Sequence, residues 1–510
     1  MTTEQSVSLR DRGVVVLLFL ALAAFFPYFE SIHSANELSR LYLANAIATE
    51  HTVAIDTSIN RLGNIHDKAF RDGHHYSDKA PGASFYAVPA AWAYLTLADT
   101  PTLAGEMRVL RLWVSVIPTA FLLLGLLQFL QQYIPDRGIR LWLVTGYALG
   151  SLATTYGMLL FGHQLSAALV FGAFLIAHNA QPDWSTRRAV LMGVLGSAAV
   201  CVEYPNVIFM VPVMLYYWRQ IRWSPRAIAW TVAGALPLLV VLGWYHNTAF
   251  GSPWSTGYSF LTSGFKDVHA QGVMGISWPT LENLHLCFVS LHRGLFVFSP
   301  FLLLALPGLF LTGHAGRAGK LALIMAPLYA LFVTSMVYPD GGWAVSLRHL
   351  TPMVPWLLLP AGLLILRFAW LRPFLVGLVL VSVAATGLST VTWPHFQENL
   401  QNPFFQMAWP LFEHGWVAPS AFEAVGLSSR TAVLWIGGLV ALLAIADLCQ
   451  WSQAMWQSLL SLAIAAGLVW GAWHFAAPLH ADQDVGKAQR WVQKVYEPDV
   501  LSNPTPFNRR

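Results

Sequence analysis

Apolar residues in this chain gather into long runs, and polar residues collect in the gaps between them. The first run, 14–28, follows Arg10 and Arg12 and passes straight into Phe25-Phe26-Pro27-Tyr28 with no small-residue cleavage site. That pattern predicts an uncleaved first helix, not a signal peptide. Further runs fall at 108–131, 138–158, 162–180, 187–202, 204–219, 226–246, 293–312, 319–338, 349–367, 372–390, 432–449 and 454–472. A helix needs about 20 residues to cross the hydrocarbon core, and most of these runs have that length. Their internal Gly and Pro are tolerated in membrane helices. One more stretch, 84–98, is short and carries Pro89, so it either spans or dips in and returns.

Composition makes the membrane the solvent. Of the 510 residues, 56% are hydrophobic and 11% are charged, with a mean hydropathy of +0.53. Soluble domains carry about a quarter charged residues. The three cysteines (Cys201, Cys287, Cys449) show no metal-type spacing, and no basic tract or nucleic-acid motif is present. Charge then sets the topology. If 84–98 does not cross, Arg10/Arg12, Arg137/Arg140, Arg187/Arg188, Arg219/Arg222/Arg226, Arg317/Lys320 and Arg367/Arg372 all fall on one side. Short cytoplasmic loops are where Lys and Arg collect. The expectation is an all-α polytopic protein of about thirteen spans, N-terminus inside and C-terminus outside. The outer side then holds the loops 30–83, 247–292 and 391–431 and the turn 338–349.

The first outer loop concentrates the polar chemistry. Residues 34–43 suit a helix along the membrane surface, with Leu38, Leu41, Tyr42 and Ala46 on one face and Asn45 interrupting it. Then comes Asp67-Lys68-Ala69-Phe70-Arg71-Asp72-Gly73-His74-His75-Tyr76-Ser77-Asp78-Lys79-Ala80-Pro81-Gly82, rich in carboxylates, imidazoles and lysines. Charged groups beside a membrane domain are costly unless solvated or used, which points to function.

At these residues the sequence resembles the GT-C glycosyltransferases, in particular the lipid-carrier-dependent branch with the lipid A aminoarabinose transferases and the protein O-mannosyltransferases. Asn36-Glu37 sits where that branch has an acidic pair after the first helix. Asp78-Lys79-Ala80-Pro81 sits where it has Glu-Lys-Pro-Pro. Phe161-Gly162-His163, Glu203-Tyr204-Pro205, Phe250-Gly251-Ser252-Pro253 and Gly341-Gly342-Trp343 leading to Arg348-His349 also look like bacterial members. The resemblance covers residues 10–360. It implies a GT-C-like bundle whose outer loops bear short juxtamembrane helices. The catalytic module would be 1–390, with outer loop and C-terminal helices at 391–472 and a tail at 473–510.

The resemblance also implies a reaction: a sugar on a polyprenyl phosphate passes to an acceptor hydroxyl at the outer leaflet, with inversion. The acceptor is an unspecified glycan, lipid or protein, and the setting is a bacterial inner membrane with the site facing outward. Such chemistry needs a carboxylate base and cations for the leaving phosphate. Glu37 is the first candidate base, although Ser34-x-x-Glu37 is also a capping box. Asp56, Asp67 and Asp78 are the substitutes, Asp56 and Asp67 reading more readily as solvated loop residues. Lys79, Arg348 and Arg293 are the candidate phosphate ligands, against snorkelling at the interface. That alternative is stronger for Arg108 and Arg111. His75, Tyr76, His163, Glu203, Tyr204 and His349 complete the candidate substrate contacts. His74-His75-x-x-Asp78 is a weak ligand spacing, so no metal site is assigned; no cofactor is certain, and a divalent metal stays open. The rival class is a transporter or flippase of lipid-linked sugars, which predicts ionisable residues buried mid-helix and paired halves. Here the charges lie mostly in loops and no halves are visible.

Overall fold

The structure, a computed structural model, describes residues 8–272, 274–452, 455–476 and 483–496. Helix α1 (Leu9–Phe25) starts at Ser8, whose hydroxyl accepts the Asp11 N–H. The first polar segment forms α2 (Ala35–Glu50), α3 (Asp56–Leu62) and an antiparallel hairpin of β1 (Ala69–Arg71) and β2 (His74–Tyr76). Asp72 and Gly73, both at positive φ, make its tight turn. Next come α4 (Gly82–Leu97), α5 (Leu103–Arg111), a π turn and α6 (Ile117–Gln131). α7 (Arg137–Leu149), α8 (Leu152–Tyr156), α9 (Gly162–His178), α10 (Thr186–Val202), α11 (Asn206–Gln220) and α12 (Pro225–Phe250) follow. The second polar segment holds α13 (Phe265–His269) and α14 (Leu281–Phe288), ahead of α15 (Leu295–Phe298), α16 (Ala305–Gly308) and α17 (Gly316–Thr334). The rest is α18 (Val354–Arg367), α19 (Arg372–Ser382), α20 (Leu388–Thr392), α21 (Trp409–Glu413), α22 (Ser429–Trp451), α23 (Met455–Ala476) and α24 (Gln483–Tyr496).

The protein is an all-α polytopic membrane protein. Among the described residues six helical stretches are long and apolar enough to cross a membrane: Leu103–Gln131, Pro225–Phe250, Pro300–Thr334, Arg348–Arg367, Ala369–Thr392 and Ser429–Trp451. Their outer faces leave large apolar side chains uncovered, as Phe121 (71% exposed) and Val240 (65%) do, which a lipid surround accommodates. Each of the thirteen apolar runs in the sequence lies on a helix, several of them interrupted. The run 138–158 breaks at Gly150, where Ser151 caps α8 anew. The run 293–312 is split by Pro300 and Pro307, and the stretch from Pro300 doubles back at Gly316, whose φ of +59° a side chain rarely adopts. Of the predicted tail 473–510, only 473–476 and 483–496 lie among the described residues.

Polar pairs mark the two ends of the bundle. At one end Asp11 takes Arg137 at 2.6 Å, while Arg372 reaches Asp136 at 2.8 Å and Asp447 at 2.6 Å. There too Arg317 donates to Gln220 at 2.5 Å. These contacts tie the arginine-rich loops at 10–12, 137–140 and 367–372 to one another, and the loop at 219–226 to that at 317–320. Loops 30–83 and 391–417 meet at the other end, where α24 docks: Tyr496 donates to the Thr392 carbonyl and Gln489 to the Gln406 carbonyl.

The segment 84–98 forms the 16-residue α4, which lies along α2 and the start of the next span. Trp113, early in the next span, donates to the Tyr86 carbonyl near the start of α4. Its far end is tied back to the first loop, because Tyr94 accepts from Thr102 and Glu106 accepts from Asn45 of α2. The helix expected around residues 34–46 forms as α2, packed more deeply than its apolar stripe alone implies. α2 is buried around most of its circumference, polar Asn36, Glu37, Ser39 and Arg40 included, because α4 lies along it.

Candidate functional site

The first turn of α2 aims the first set of charged groups. Ser34 accepts the Glu37 N–H at 3.3 Å, so the helix is capped as its sequence implies. The Glu37 carboxylate, however, does not return to the cap. It is fully buried and takes a fork of two bonds from Arg111, at 2.8 and 2.9 Å, plus the Leu160 N–H at 2.7 Å. His395 lies 3.7 Å away. Burial pushes the Glu37 carboxyl up, but Arg111, His395 and the Leu160 amide outweigh it and hold it below the usual carboxylate range. Arg111 is accordingly not a snorkelling residue. It is 3% exposed and also donates to the Pro27 carbonyl at 2.5 Å.

The Asp-Lys motif makes the second set. Lys79 Nζ bridges Asp67 Oδ2 at 2.8 Å and Asp78 Oδ2 at 2.9 Å. Asp78 Oδ1 accepts from Ser39 of α2 at 3.3 Å, and Ser39 also bonds Ser77 at 2.9 Å. Burial opposes the Lys79 charge, yet the two carboxylates more than offset it and raise its pKa. For Asp67, burial is outweighed by Lys79 and the pKa falls. For Asp78, burial wins, aided by the Asp67 charge, and the pKa rises. One oxygen of Asp67 keeps no partner among the described residues, and the side chain is 21% exposed.

The third set comes from helix ends brought in from far along the chain. Glu203, just past α10, takes Arg40 at 3.3 Å and faces His163 Nδ1 at 3.5 Å. A Cβ on Gly162 would sit 2.4 Å from Glu203 Oε1, so the glycine lets the carboxylate in. Burial raises the Glu203 pKa against the pull of Arg40, Arg348 and Lys79. The His163 and His349 rings lie 5.0 Å apart. Arg40 and Arg348 stand 5.9 and 5.3 Å from the centre of the Phe161 ring. Arg348 is close enough to Lys79 for the two charges to oppose each other. Its Nε is buried with no partner, and among the described residues its side chain makes no ion pair.

Other candidates are placed elsewhere. Asp56 accepts from His75 N–H at 3.0 Å and holds the imidazoles of His75 and His74 at 2.8 and 2.9 Å, so those histidines serve Asp56 and not Asp78. Tyr76 packs on Phe250, 5.9 Å between ring centres, and Tyr204 bonds His246 at 2.8 Å. Arg293 is fully buried and donates to the carbonyls of Ala344 and Gly342 at 2.5 and 2.9 Å. Its donors are used in holding the turn that carries Arg348. Among the described residues no group of three or more His, Cys, Asp or Glu is placed to hold a metal ion.

Sequence reasoning missed Arg40 and His395. Arg40 was findable, since it follows Glu37 by one helical turn; His395 carries no local signal and arrives by tertiary packing alone. Beneath the charged groups runs an apolar cavity of about 540 Å³, lined by Phe85, Leu165, Leu169, Cys201 and Val202 among others. Its walls begin where the site ends, within three residues of Lys79, His163 and Glu203.

No protein-family profile matches the chain, and no curated protein matches it. Among solved structures the chain is similar to ArnT from Cupriavidus metallidurans in the apo state, with a TM-score of 0.49 and 12% identity over 96% of this chain and 76% of that one. It is also similar to the same protein bound to undecaprenyl phosphate, with a TM-score of 0.48 and 14% identity over 91% of this chain and 75% of that one.

Proposed function

We propose that this chain is a membrane glycosyltransferase that moves a sugar from a polyprenyl-phosphate donor to an acceptor hydroxyl at the outer face of a bacterial inner membrane. The observation that carries the reading is Arg348, a guanidinium with a buried, unpartnered Nε beside Lys79, whose own segment leads into an apolar cavity at Gly82 and Phe85. A buried donor without a partner is costly, and a phosphate oxygen satisfies it with a charge-assisted bond. The apolar cavity below suits the isoprenoid chain of the same molecule.

The reaction is a single displacement. The acceptor oxygen attacks the anomeric carbon from the face opposite the phosphate, the bond from that carbon to the phosphate oxygen breaks, and polyprenyl phosphate leaves with the electron pair. Inversion follows, and no enzyme nucleophile is needed. Lys79 and Arg348 stabilise the negative charge that gathers on the leaving phosphate. Asp67, ionised and with one free oxygen on the outer hairpin side, takes the acceptor proton. Glu37 serves as an anchor, since Arg111, Leu160 and His395 surround its carboxylate. Arg40 and Glu203 hold the opposite wall.

The test is a transfer assay of the purified full chain with a panel of polyprenyl-phosphate sugars and mixed envelope acceptors. Release of polyprenyl phosphate with a sugar moved to acceptor supports the reading. Donor binding with movement across the bilayer but no transfer would make the chain a flippase instead.

A further inference from the structure

Three segments that lead into the site converge on one side chain of the C-terminal helix. Trp491 of α24 makes edge contacts with His33, Trp343 and Trp393, with ring centres 5.2, 5.2 and 5.4 Å apart. His33 stands four residues before Glu37, Trp343 five before Arg348 and Trp393 two before His395. Trp393 is fully buried, and its indole N–H donates to the His395 carbonyl at 2.7 Å, so it forms a fixed floor. Trp343 and Trp491 stay 40% and 37% exposed, and their planes cross at 84°. Two indoles thus make an open, right-angled corner at the doorway of the site.

The corner, and the loop that carries Trp393, also hold polar atoms in want of a partner. His33 Nε2 is buried beside Trp491 with none. In the His395 loop, Gln397 is 6% exposed and both its amide atoms lack partners. Buried polar atoms in folded proteins are nearly always paired, so a cluster of unpaired ones marks where a ligand belongs. We propose that this corner is a saccharide subsite, which holds a pyranose ring of the acceptor with its C–H face on the indoles and a hydroxyl on His33. It rests on the transferase reading above and adds the acceptor's class, a carbohydrate-bearing molecule. An indole face buries C–H surface, and an imidazole nitrogen bonds a hydroxyl. A lipid acyl chain would cover the indoles yet leave His33 Nε2 unpaired, at the cost of a lost hydrogen bond.

The experiment uses the full chain in lipid nanodiscs, with saturation-transfer NMR against mannotetraose, chitotetraose and maltotetraose. At least one of the three is expected to bind, and Trp343→Ala or Trp491→Ala to weaken it roughly tenfold or more. Trp491→Leu, which keeps the apolar packing on Trp393, is expected to lose binding too. Trp254→Ala, an exposed indole in another loop, is expected to leave it unchanged. Polyprenyl-phosphate binding, read on the same samples, should not move in any of these variants. Binding of none of the three, or equal binding by wild type and both alanine variants, overturns the subsite. Failure of the wild type to bind polyprenyl phosphate would instead sink the transferase reading and leave the corner's own result standing.

Discussion

Glu37 and Arg111 are a buried fork of two charge-assisted bonds, and removal of one partner strands the other without water. Breaking such a pair costs about 3–5 kcal/mol, whereas replacing both by apolar groups is often neutral. Glu37→Gln is therefore expected to lower both transfer and the folded fraction in detergent, and Glu37→Leu with Arg111→Leu to recover folding without recovering transfer. Recovery of full folding by Glu37→Gln alone would contradict the anchoring role. Next to this pair, burial lowers the His395 pKa to about 4, so the imidazole is neutral when folded and near 6.5 when unfolded. A depressed folded pKa contributes stability that is complete above pH 6.5 and lost as pH falls toward 4, by up to about 3 kcal/mol. Thermal unfolding of wild type and His395→Gln between pH 7 and pH 4 checks this, and the variant should lose less. The roles of Glu37 and Arg111 were half legible in sequence: the cap was visible, but a partner 74 residues away was not.

At the scale of elements, α4 decides the topology. Its length and Pro89 left it open between crossing and returning, the charge pattern favoured returning, and its packing on α2 and the first loop agrees with that. A cysteine at position 97, which is 81% exposed, should label from the same side as one at position 60 and opposite to positions 187 and 222. Labelling of 97 together with 187 would contradict a returning α4. α2 shows what an apolar stripe leaves unsaid. Periodicity reports where apolar residues fall, while burial of the polar face came from α4 and from site partners at residues 77–79, 111 and 203. The breaks at Gly150, Pro300 and Gly316 were in plain view, yet a hydropathy window averages across them.

For the whole molecule, the site is a junction of helix ends: α2, the hairpin exit, the start of α9, the end of α10 and the turn before α18. The thirteen apolar runs could be read from composition, because the bilayer imposes them. The meeting of Lys79 and Arg348 could only be hypothesised, since 268 intervening residues hold no local trace of it. If Arg348 and Lys79 hold a donor phosphate, Arg348→Ala should weaken polyprenyl-phosphate binding on the order of tenfold to a hundredfold, and Arg348→Lys should restore part of it. The most direct check is a structure of the full chain in nanodiscs with polyprenyl phosphate added. A phosphate is expected within hydrogen-bond distance of Arg348 and Lys79, its chain running past Phe85, Leu165 and Leu169. A phosphate at the Arg372 end of the bundle, or Arg348 unliganded beside a lipid bound elsewhere, would contradict the donor site.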